Sequence, residues 1–201
     1  MTQALPKFSI IIPSHNGADR IRKALDSCSQ QEFKDYELIV VCDACTDNTA
    51  EIANIYTDKI LTVNYHRDGL ARNAGLDIAT GDWILFLDDD DWWLHEFALS
   101  ELADLTQDNS ADWIEYAIIW RTVGRRGGQY GRYLQMCAGH CIRRDFIGTF
   151  RFDSAQYSSD THFLWPLTKR HPVTLYYAMP LYYYNYMRPG SLSDRHRKGE
   201  I

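Results

Sequence analysis

The first half of the chain alternates between short apolar runs and amphipathic stretches, and this alternation constrains the fold more than any other feature. Apolar runs bounded by turn residues predict strands, and apolar residues at helical spacing predict helices. Strands that alternate with helices form mostly parallel sheets with right-handed crossovers, so we predict an α/β fold. The predicted strands are Phe8–Ile12, Tyr36–Val41, Ile60–Tyr65 and Trp83–Leu87. The predicted helices are Asp19–Gln31, Asn48–Tyr56 and Leu70–Ala79, with Asp19 and Asp47 as candidate caps for the first two.

The second half is less regular, and it carries no clear domain boundary. At 201 residues the chain is long enough for one sizeable domain, or one domain with a small appendage. We predict two strands broken at Pro180 in the tyrosine-rich segment Leu175–Met187. The other predicted elements are a helix at Leu94–Leu105, a strand at Trp113–Thr122, a turn at Gly124–Gly131 and a helix from its cap Asp160 to Arg170.

Four carboxylates follow the fourth predicted strand directly, at Asp88, Asp89, Asp90 and Asp91. Four adjacent anions repel one another, so a folded protein keeps them together on a solvated turn or around a divalent cation. Mg²⁺ and Mn²⁺ prefer carboxylate oxygens and often share them with substrate phosphates. The carboxyl ends of strands are also where open α/β sheets bind their ligands. A solvated acidic turn and a metal site are both compatible with this run alone.

Charge and cysteine usage exclude some classes of protein. The net charge is −6 and the pI is about 5.6, which argues against nucleic-acid binding by bulk charge. We expect a cytoplasmic protein, since no apolar stretch approaches the roughly 18 residues of a membrane span and the first residues lack a signal-peptide pattern. The five cysteines are then mostly reduced. Cys42 and Cys45 form a C-x-x-C pair, for which inert buried thiols, zinc binding with the Cys137–Cys141 cluster and redox chemistry are alternatives.

Four motifs in order resemble family 2 glycosyltransferases with the GT-A fold. The motifs are Pro13-Ser14-His15-Asn16 after the first strand, Asp43-Ala44-Cys45-Thr46-Asp47 after the second, Ala71-Arg72-Asn73-Ala74-Gly75 on a helix, and Asp88-x-Asp90-Asp91. The resemblance covers about the first 92 residues well and the remainder loosely. Ala44, Cys45 and His15 stand where the family usually has glycine, serine and tyrosine. The resemblance implies a Rossmann-like, three-layer GT-A fold with a mostly parallel mixed sheet.

The resemblance also implies the residues of a nucleotide-sugar site. Asp43 would accept the ring N–H of uracil, and Arg72 would neutralise the diphosphate. Asp88 would contact the ribose hydroxyls and join Asp90 on a Mn²⁺ or Mg²⁺ ion, while Asp89 and Asp91 would lie behind the direct metal ligands or in solvent. The remaining donor-binding residues implied are Pro13, Ser14, His15, Asn16 and Asp89.

The catalytic base is expected at Asp160, where the family has an aspartate opening a helix. Asp160 could instead be only a helix cap, and Asp153 is the alternative base. His162 is weighed as a second catalytic candidate and His140 as an acceptor contact.

The predicted function is metal-dependent transfer of a sugar from a nucleotide-sugar donor, UDP-linked by resemblance, to an acceptor hydroxyl with inversion. Residues 1–201 would form a single GT-A domain, with a donor half at 1–92 and an acceptor half at 93–201. By resemblance the acceptor is a polysaccharide or a lipid-linked glycan, with peripheral membrane association as an option. An inactive nucleotide- or sugar-binding module and a sugar-phosphate nucleotidyltransferase are the alternatives.

Overall fold

The computed structural model describes residues 6–107, 110–120, 129–131, 135–155, 158–186 and 188–199. The elements of the first half follow the predicted alternation. They are β1 (Phe8–Ser14), α1 (Ile21–Ser29), β2 (Tyr36–Asp43), α2 (Thr49–Ala53), β3 (Ile60–Val63), α3 (Asp68–Ile78) and β4 (Trp83–Phe86).

The second half adds a short strand directly after the acidic turn and a long strand near the end of the chain. In order, the elements are β5 (Trp92–Trp93), α4 (Ala98–Leu105), β6 (Trp113–Trp120), β7 (Gln129–Gly131), β8 (His140–Arg143), α5 (Arg144–Ile147), α6 (Ser159–Thr168), β9 (Thr174–Tyr184) and α7 (Leu192–Arg197). A single 3-10 turn at Cys137–Gly139 precedes β8.

The strands of the described residues form one mixed, mostly parallel sheet in the order β3-β2-β1-β4-β8-β6-β9-β5, with β7 paired to β6. Strands β3, β2, β1 and β4 are parallel to one another. Strand β8 then runs antiparallel between β4 and β6. The α/β prediction is confirmed, and the carboxyl ends of β1, β2 and β4 lie at one edge of the sheet.

Alternating residues of the central strands bury opposite faces of the sheet, as the pleat requires. Ile10 and Ile12 pack into a core with Leu25 of α1, while Ile11 packs on the other face with Leu76 of α3 and with Phe163 of α6. Helices therefore cover both faces, and the predicted three-layer arrangement is confirmed. The helices α3 and α6 share one layer, which brings the first and second halves of the chain together beside the acidic turn.

Several local predictions were wrong for identifiable reasons. Helix α1 begins at Ile21 without a side-chain cap, because Asp19 pairs with Arg20 at 3.0 Å instead. Residues 94–97 of the predicted helix Leu94–Leu105 are not helical, and the Leu94 amide donates instead to the Leu181 carbonyl of β9 at 2.8 Å. Pro180 does not divide the tyrosine-rich segment into two strands. Pro180 lies opposite Ala117 of β6, where the pairing of the two strands shifts in register. Proline has no N–H to donate, and at such a shift the strand can continue without that hydrogen bond.

The predicted turn at Gly124–Gly131 lies outside the described residues up to residue 128, and its last three residues form β7. Among the residues that the structure describes, no helix is both long and apolar enough to cross a membrane.

Candidate functional site

A cavity of about 600 Å³ opens where the carboxyl ends of β1, β2 and β4 meet helix α6. Open α/β sheets bind ligands at this edge. Apart from Asn16 and the alternative base Asp153, the cavity is lined by every predicted donor, metal and base residue: Pro13, Ser14, His15, Asp43, Arg72, Asp88, Asp89, Asp90 and Asp160.

Arg72 on α3 is the central cation of this cavity. Its Nη2 lies 2.6 Å from Asp88 Oδ1, and its Nη1 pairs with Asp68 and lies 3.7 Å from Asp160 Oδ1. Burial disfavours the charge of Arg72, but the carboxylates of Asp68, Asp160 and Asp88 outweigh burial and raise its pKa further. One guanidinium therefore holds together carboxylates from α3, from the acidic turn and from α6.

Asp88 is the most perturbed carboxylate that still reaches the cavity, with a side chain 29% exposed. Burial raises its pKa to about 7, opposed by Arg72 and reinforced by the repulsion of Asp68, Asp160 and Asp90. A site that crowds anions in this way favours uptake of a proton or a cation.

Asp89 binds protein groups on both carboxylate oxygens. Arg20 Nε donates to Oδ1 and Arg20 Nη2 donates to Oδ2, both at 2.9 Å, and Ser14 Oγ donates to Oδ2 at 2.5 Å. The same guanidinium donates to the carbonyls of Asn16 and His15 at 2.7 and 3.0 Å. Asp89 thus fixes the loop after β1 beside the acidic turn, and its contacts support a positioning role.

Gly17 explains why this loop can approach so closely. A Cβ at this position would lie 2.2 Å from Ser14 Oγ and 2.6 Å from Asp89 Oδ2. Any side chain would therefore displace the hydrogen bond that joins the loop to the turn.

Asp91 is fully buried, which excludes the solvated one of its two predicted positions. Tyr182 Oη donates to its Oδ2 at 2.6 Å, and the amide of Asn185 donates to Oδ1 at 2.8 Å. Burial raises the pKa of Asp91 well above its usual value. The Tyr182 oxygen also accepts the Asp88 N–H at 3.2 Å, so β9 fixes the backbone of the acidic turn.

Asp90 is held by a residue from the end of the chain. Arg188 Nε donates to Asp90 Oδ2 at 2.6 Å, and the two side chains are 26% and 16% exposed. The contacts of the described residues use Oδ1 of Asp88 and Oδ2 of Asp90, which leaves one oxygen of each carboxylate for a ligand.

The predicted metal ion fits these two carboxylates only with help from a ligand. Within the described part of the chain, no three His, Cys, Asp or Glu side chains form a metal site of their own. Hard cations such as Mg²⁺ routinely combine one or two carboxylates with phosphate oxygens and waters. The donor set of Asp88 and Asp90 matches that mode of binding.

Asp43, at the end of β2, anchors the chain that enters α3. Its Oδ1 accepts the amides of Tyr65 and His66 at 2.6 and 3.0 Å, and its Oδ2 accepts the amide of Arg67 at 2.9 Å. Only 4% of the residue is exposed, although it lines the cavity. Part of its hydrogen-bonding capacity is therefore structural.

Residues with left-handed backbones gather around Asp43. Asn16, Ala44 and His66 have φ of 48°, 52° and 52°. Glycine adopts this region without strain, which accounts for the family's usual glycine at the position of Ala44. Asn16 does not line the cavity as predicted, because its Oδ1 accepts the Thr46 amide at 2.8 Å and joins two loops.

Asp160 lies in the first turn of α6 and is not its cap, since Ser158 occupies that position. Asp160 Oδ2 accepts the Cys137 amide at 2.9 Å. Burial raises the pKa of Asp160, and Arg72 opposes the effect. The alternative base Asp153 is 56% exposed, pairs with His162 Nδ1 at 2.8 Å and lines a different cavity. Of the two aspartates, only Asp160 reaches the cavity beside Arg72.

His140 does not reach the site, so its predicted contact with an acceptor was wrong. The residue is only 2% exposed, and Trp113 Nε1 donates to its Nδ1 at 2.9 Å. The two rings meet edge to face, with centroids 5.2 Å apart. This histidine packs in the core between β6 and β8.

The cysteines are free thiols, and most are buried. Burial raises the pKa of Cys42 to about 12, which makes its thiol a poor nucleophile. Cys45 accepts the Asn16 amide at 3.3 Å and donates to the Ser14 carbonyl at 3.4 Å. A thiol can therefore replace the usual serine here without loss of these loop contacts.

Sequence reasoning missed four residues that shape the site: Arg20, Asp68, Tyr182 and Arg188. Asp68 carried a usable signal, since it stands four residues before Arg72 on one helix. The other three reach the acidic turn through tertiary contacts that no local pattern records.

Comparison with solved structures shows the same fold. Crystal structures of S. aureus TarS include a complex with UDP, which superposes with a TM-score of 0.76 at 22% identity over 89% of this chain and 60% of that chain. The mannosyltransferase PcManGT from Pyrobaculum calidifontis, in complex with GDP-Man and Mn²⁺, gives a TM-score of 0.75 at 16% identity over 98% and 62%.

Sequence comparison gives closer relatives. A PGL/p-HBAD biosynthesis glycosyltransferase of Mycobacterium bovis (strain BCG / Pasteur 1173P2) is 37% identical over 132 residues, which cover 62% of this chain and 52% of the relative. The chain thus spans about half the length of this curated relative. The model of glycosyl transferase family 2 matches residues 9–166, which is well over half of the chain. This protein therefore belongs to glycosyl transferase family 2.

Proposed function

We propose that this protein transfers a sugar from a nucleotide-sugar donor to an acceptor hydroxyl, with inversion at the anomeric carbon. One observation carries the proposal. Arg72 contacts both Asp88, at the predicted donor site, and Asp160, the predicted base. A leaving-group site and a general base therefore share one cavity, as a displacement reaction requires.

The donor in this proposal is a uridine diphosphate sugar. Asp43 lies between the loop after β1 and the segment 65–67. His15 Nδ1, in that loop, lies 2.6 Å from the backbone carbonyl oxygen of Asp43. A carboxylate there can accept the single ring N–H of uracil with the capacity left on Oδ2. Pro13 and His15 would flank the base, and the UDP complex of TarS supports this class of donor.

Asp88 and Asp90 would hold Mn²⁺ or Mg²⁺ together with the donor phosphates. When bound, the ion would neutralise charge on the leaving diphosphate. Arg72 would add a fixed cation beside the same oxygens, and burial strengthens its effect. The ion would bind the other oxygen, Asp90 Oδ1, and the positive charge of Arg188 on Oδ2 would weaken its binding.

Asp160 would act as the general base. The acceptor hydroxyl gives its proton to the Asp160 carboxylate while the hydroxyl oxygen forms a bond to the anomeric carbon. The bond from that carbon to the diphosphate oxygen breaks on the opposite face, so the configuration inverts. Burial raises the pKa of Asp160, which strengthens it as a proton acceptor relative to an exposed aspartate.

The division of labour follows the chain order. We propose that residues 1–92 bind the donor and that residues 93–201 face the acceptor, since Asp160 comes from the second part. The acceptor would be a glycan, a lipid-linked glycan or another hydroxyl compound.

Thermal denaturation tests the proposal most broadly. With UDP at about 100 times its dissociation constant and Mn²⁺ present, stability should rise by about 2.7 kcal/mol. For a chain of this size that corresponds to a Tm increase of roughly 5–10 °C. Asp90→Asn should lose the part of the increase that depends on Mn²⁺. If no nucleoside diphosphate or nucleotide sugar raises the Tm of the native protein, the proposed function is wrong.

A further inference from the structure

A second cavity of about 500 Å³ lies on the exposed side of α6, next to the first. It is lined by Asp153, Thr161, His162, Trp165 and Pro166. Thr161 lines both cavities, so the second continues from the one that contains Asp160. A molecule that occupied the second cavity would therefore extend from the point where the acceptor hydroxyl must lie.

Trp165 dominates this cavity and is unusually exposed. Its relative exposure is 62%, whereas Phe163 and Leu167 on the opposite side of the helix are fully buried. Lys169, one turn later, places Nζ 4.1 Å from the centre of the indole and fixes the orientation of the ring. An indole that is exposed in a cavity and held in one orientation can offer an aromatic face to a ligand.

Polar side chains that can bond to sugar hydroxyls line the cavity beside the indole. His162 Nδ1 lies 2.8 Å from Asp153 Oδ2, and both side chains are at least half exposed. The cavity thus offers the Asp153 carboxylate and the His162 imidazole to a ligand rich in hydroxyls.

We propose that this cavity binds a pyranose ring of the acceptor, which makes the acceptor a carbohydrate. The ring stacks on Trp165, because the slightly positive C–H groups of a pyranose face meet the negative face of an aromatic ring. Its hydroxyls bond to Asp153 and His162. This inference rests on the proposed function, in which Asp160 deprotonates the acceptor.

A membrane surface is the competing occupant, since exposed tryptophans also bind lipid interfaces. Among the neighbours of Trp165, the Asp153 carboxylate would repel anionic headgroups, whereas the Lys169 ammonium would attract them. Membrane binding is therefore an outcome of the test rather than a second proposal.

The test measures the binding of simple probes by saturation-transfer NMR, with UDP and Mn²⁺ present. The probes are the methyl pyranosides of glucose, galactose, mannose and N-acetylglucosamine, with ribitol 5-phosphate as an acyclic polyol. For the pyranoside that binds best, Trp165→Ala should raise the dissociation constant about 3- to 10-fold. Trp165→Phe should restore most of the affinity, since it keeps an aromatic face.

Phe97→Ala is the matched control, because Phe97 is a 45% exposed aromatic that lines neither cavity. It should leave pyranoside binding unchanged. The proposal is overturned if no pyranoside binds, if Trp165→Ala binds as the native protein does, or if only ribitol 5-phosphate binds. It is also overturned if phosphatidylglycerol vesicles bind in a Trp165-dependent way and pyranosides do not. Pyranoside binding that depends on Trp165 without any nucleotide-induced rise in Tm would instead overturn the proposed function alone.

Discussion

Each carboxylate of the acidic turn has a different partner, and these partners come from four separate parts of the chain. The pairs are Asp88 with Arg72, Asp89 with Arg20, Asp90 with Arg188 and Asp91 with Tyr182. Two of the four carboxylates, Asp89 and Asp91, are buried and hold the backbone in place. The other two, Asp88 and Asp90, each keep one carboxylate oxygen for a ligand and are the ones proposed to bind the ion. Within four residues the turn therefore carries two buried carboxylates that hold its backbone and two that are proposed to bind the ion.

The pair of Arg188 and Asp90 leads to a prediction about metal affinity. Because the guanidinium competes with a cation for Asp90, Arg188→Ala should tighten Mn²⁺ binding to the protein in the presence of UDP. A partly exposed ion pair contributes about 1 kcal/mol, so we expect the dissociation constant to fall about 3- to 10-fold. The measurement is the electron paramagnetic resonance signal of free Mn²⁺ during a titration.

Arg151→Ala serves as the control for that titration, since Arg151 pairs with Asp77 and does not line the cavity. It should leave Mn²⁺ affinity as it is in the native protein. Unchanged or weaker Mn²⁺ binding in Arg188→Ala would show that Arg188 does not compete for the metal position.

At the scale of elements, Glu37 of β2 joins the strands below the site. Its Oε1 accepts from Ser9 of β1 and from the amides of Thr80 and Gly81 at 2.6 and 3.1 Å, while Oε2 pairs with Lys59. Burial disfavours the charge, but the hydrogen bonds from Lys59, Ser9 and Thr80 outweigh it and lower the pKa of Glu37 to about 2. This carboxylate fixes the turn that leads into β4.

The lowered pKa predicts an acid-dependent loss of stability. The stabilisation is complete above the unfolded value of about 4.5 and is lost as the pH falls towards 2. Glu37→Gln should therefore lower the free energy of unfolding at pH 7 by about 1–3 kcal/mol. The difference from the native protein should shrink below pH 4.5, as urea denaturation at pH 7 and pH 3 would show.

Glu51→Gln, at an exposed position of α2, should change the unfolding free energy little at either pH. An equal difference between native protein and Glu37→Gln at both pH values would contradict the proposed ionisation of Glu37.

The elements of the first half were predictable because each one has a local signature. β1, β2, β4 and α3 arise from apolar runs and helical spacing, and their boundaries shift by only a few residues. β9 was not predictable as one strand, since the bulge opposite Ala117 depends on pairing with β6. Similarly, β5 exists only because Trp92 and Trp93 find a partner in β9.

The same distinction applies to the site. The motifs placed Asp43, Arg72, Asp88 and Asp160 correctly in one cavity. Their partners depend on which distant segments pack together, and no residue pattern near Arg20 or Arg188 reveals that. His140 shows the reverse error, because a plausible local motif ended in the core against Trp113.

At the scale of the whole molecule, the site lies where the two halves of the chain meet, and both halves contribute residues to it. The sheet edge formed by β1, β2 and β4 contributes the proposed donor residues, and α6 with the segment after β9 contributes Asp160 and Arg188. Arg72 connects the two sides through its contacts with Asp88 and Asp160. Helix α6 carries both Asp160, the proposed base, and Trp165, the aromatic ring proposed to stack on the acceptor sugar.

The central claim is that Asp160 is the base of a glycosyl transfer from a nucleotide sugar. The substitution that tests it is Asp160→Asn, because asparagine keeps an oxygen that can accept the Cys137 amide. The matched control is Asp153→Asn, which changes the exposed alternative in the neighbouring cavity.

The decisive measurement is the rate of UDP release from a UDP-sugar by the native protein and both variants, with UDP affinity measured on the same samples. The UDP affinity of Asp160→Asn should lie within about twofold of that of the native protein. Its rate of UDP formation from the UDP-sugar should be about 10²- to 10⁴-fold lower, the usual effect of losing a general base. Asp153→Asn should turn over normally. Normal turnover in Asp160→Asn together with a loss in Asp153→Asn would contradict the account.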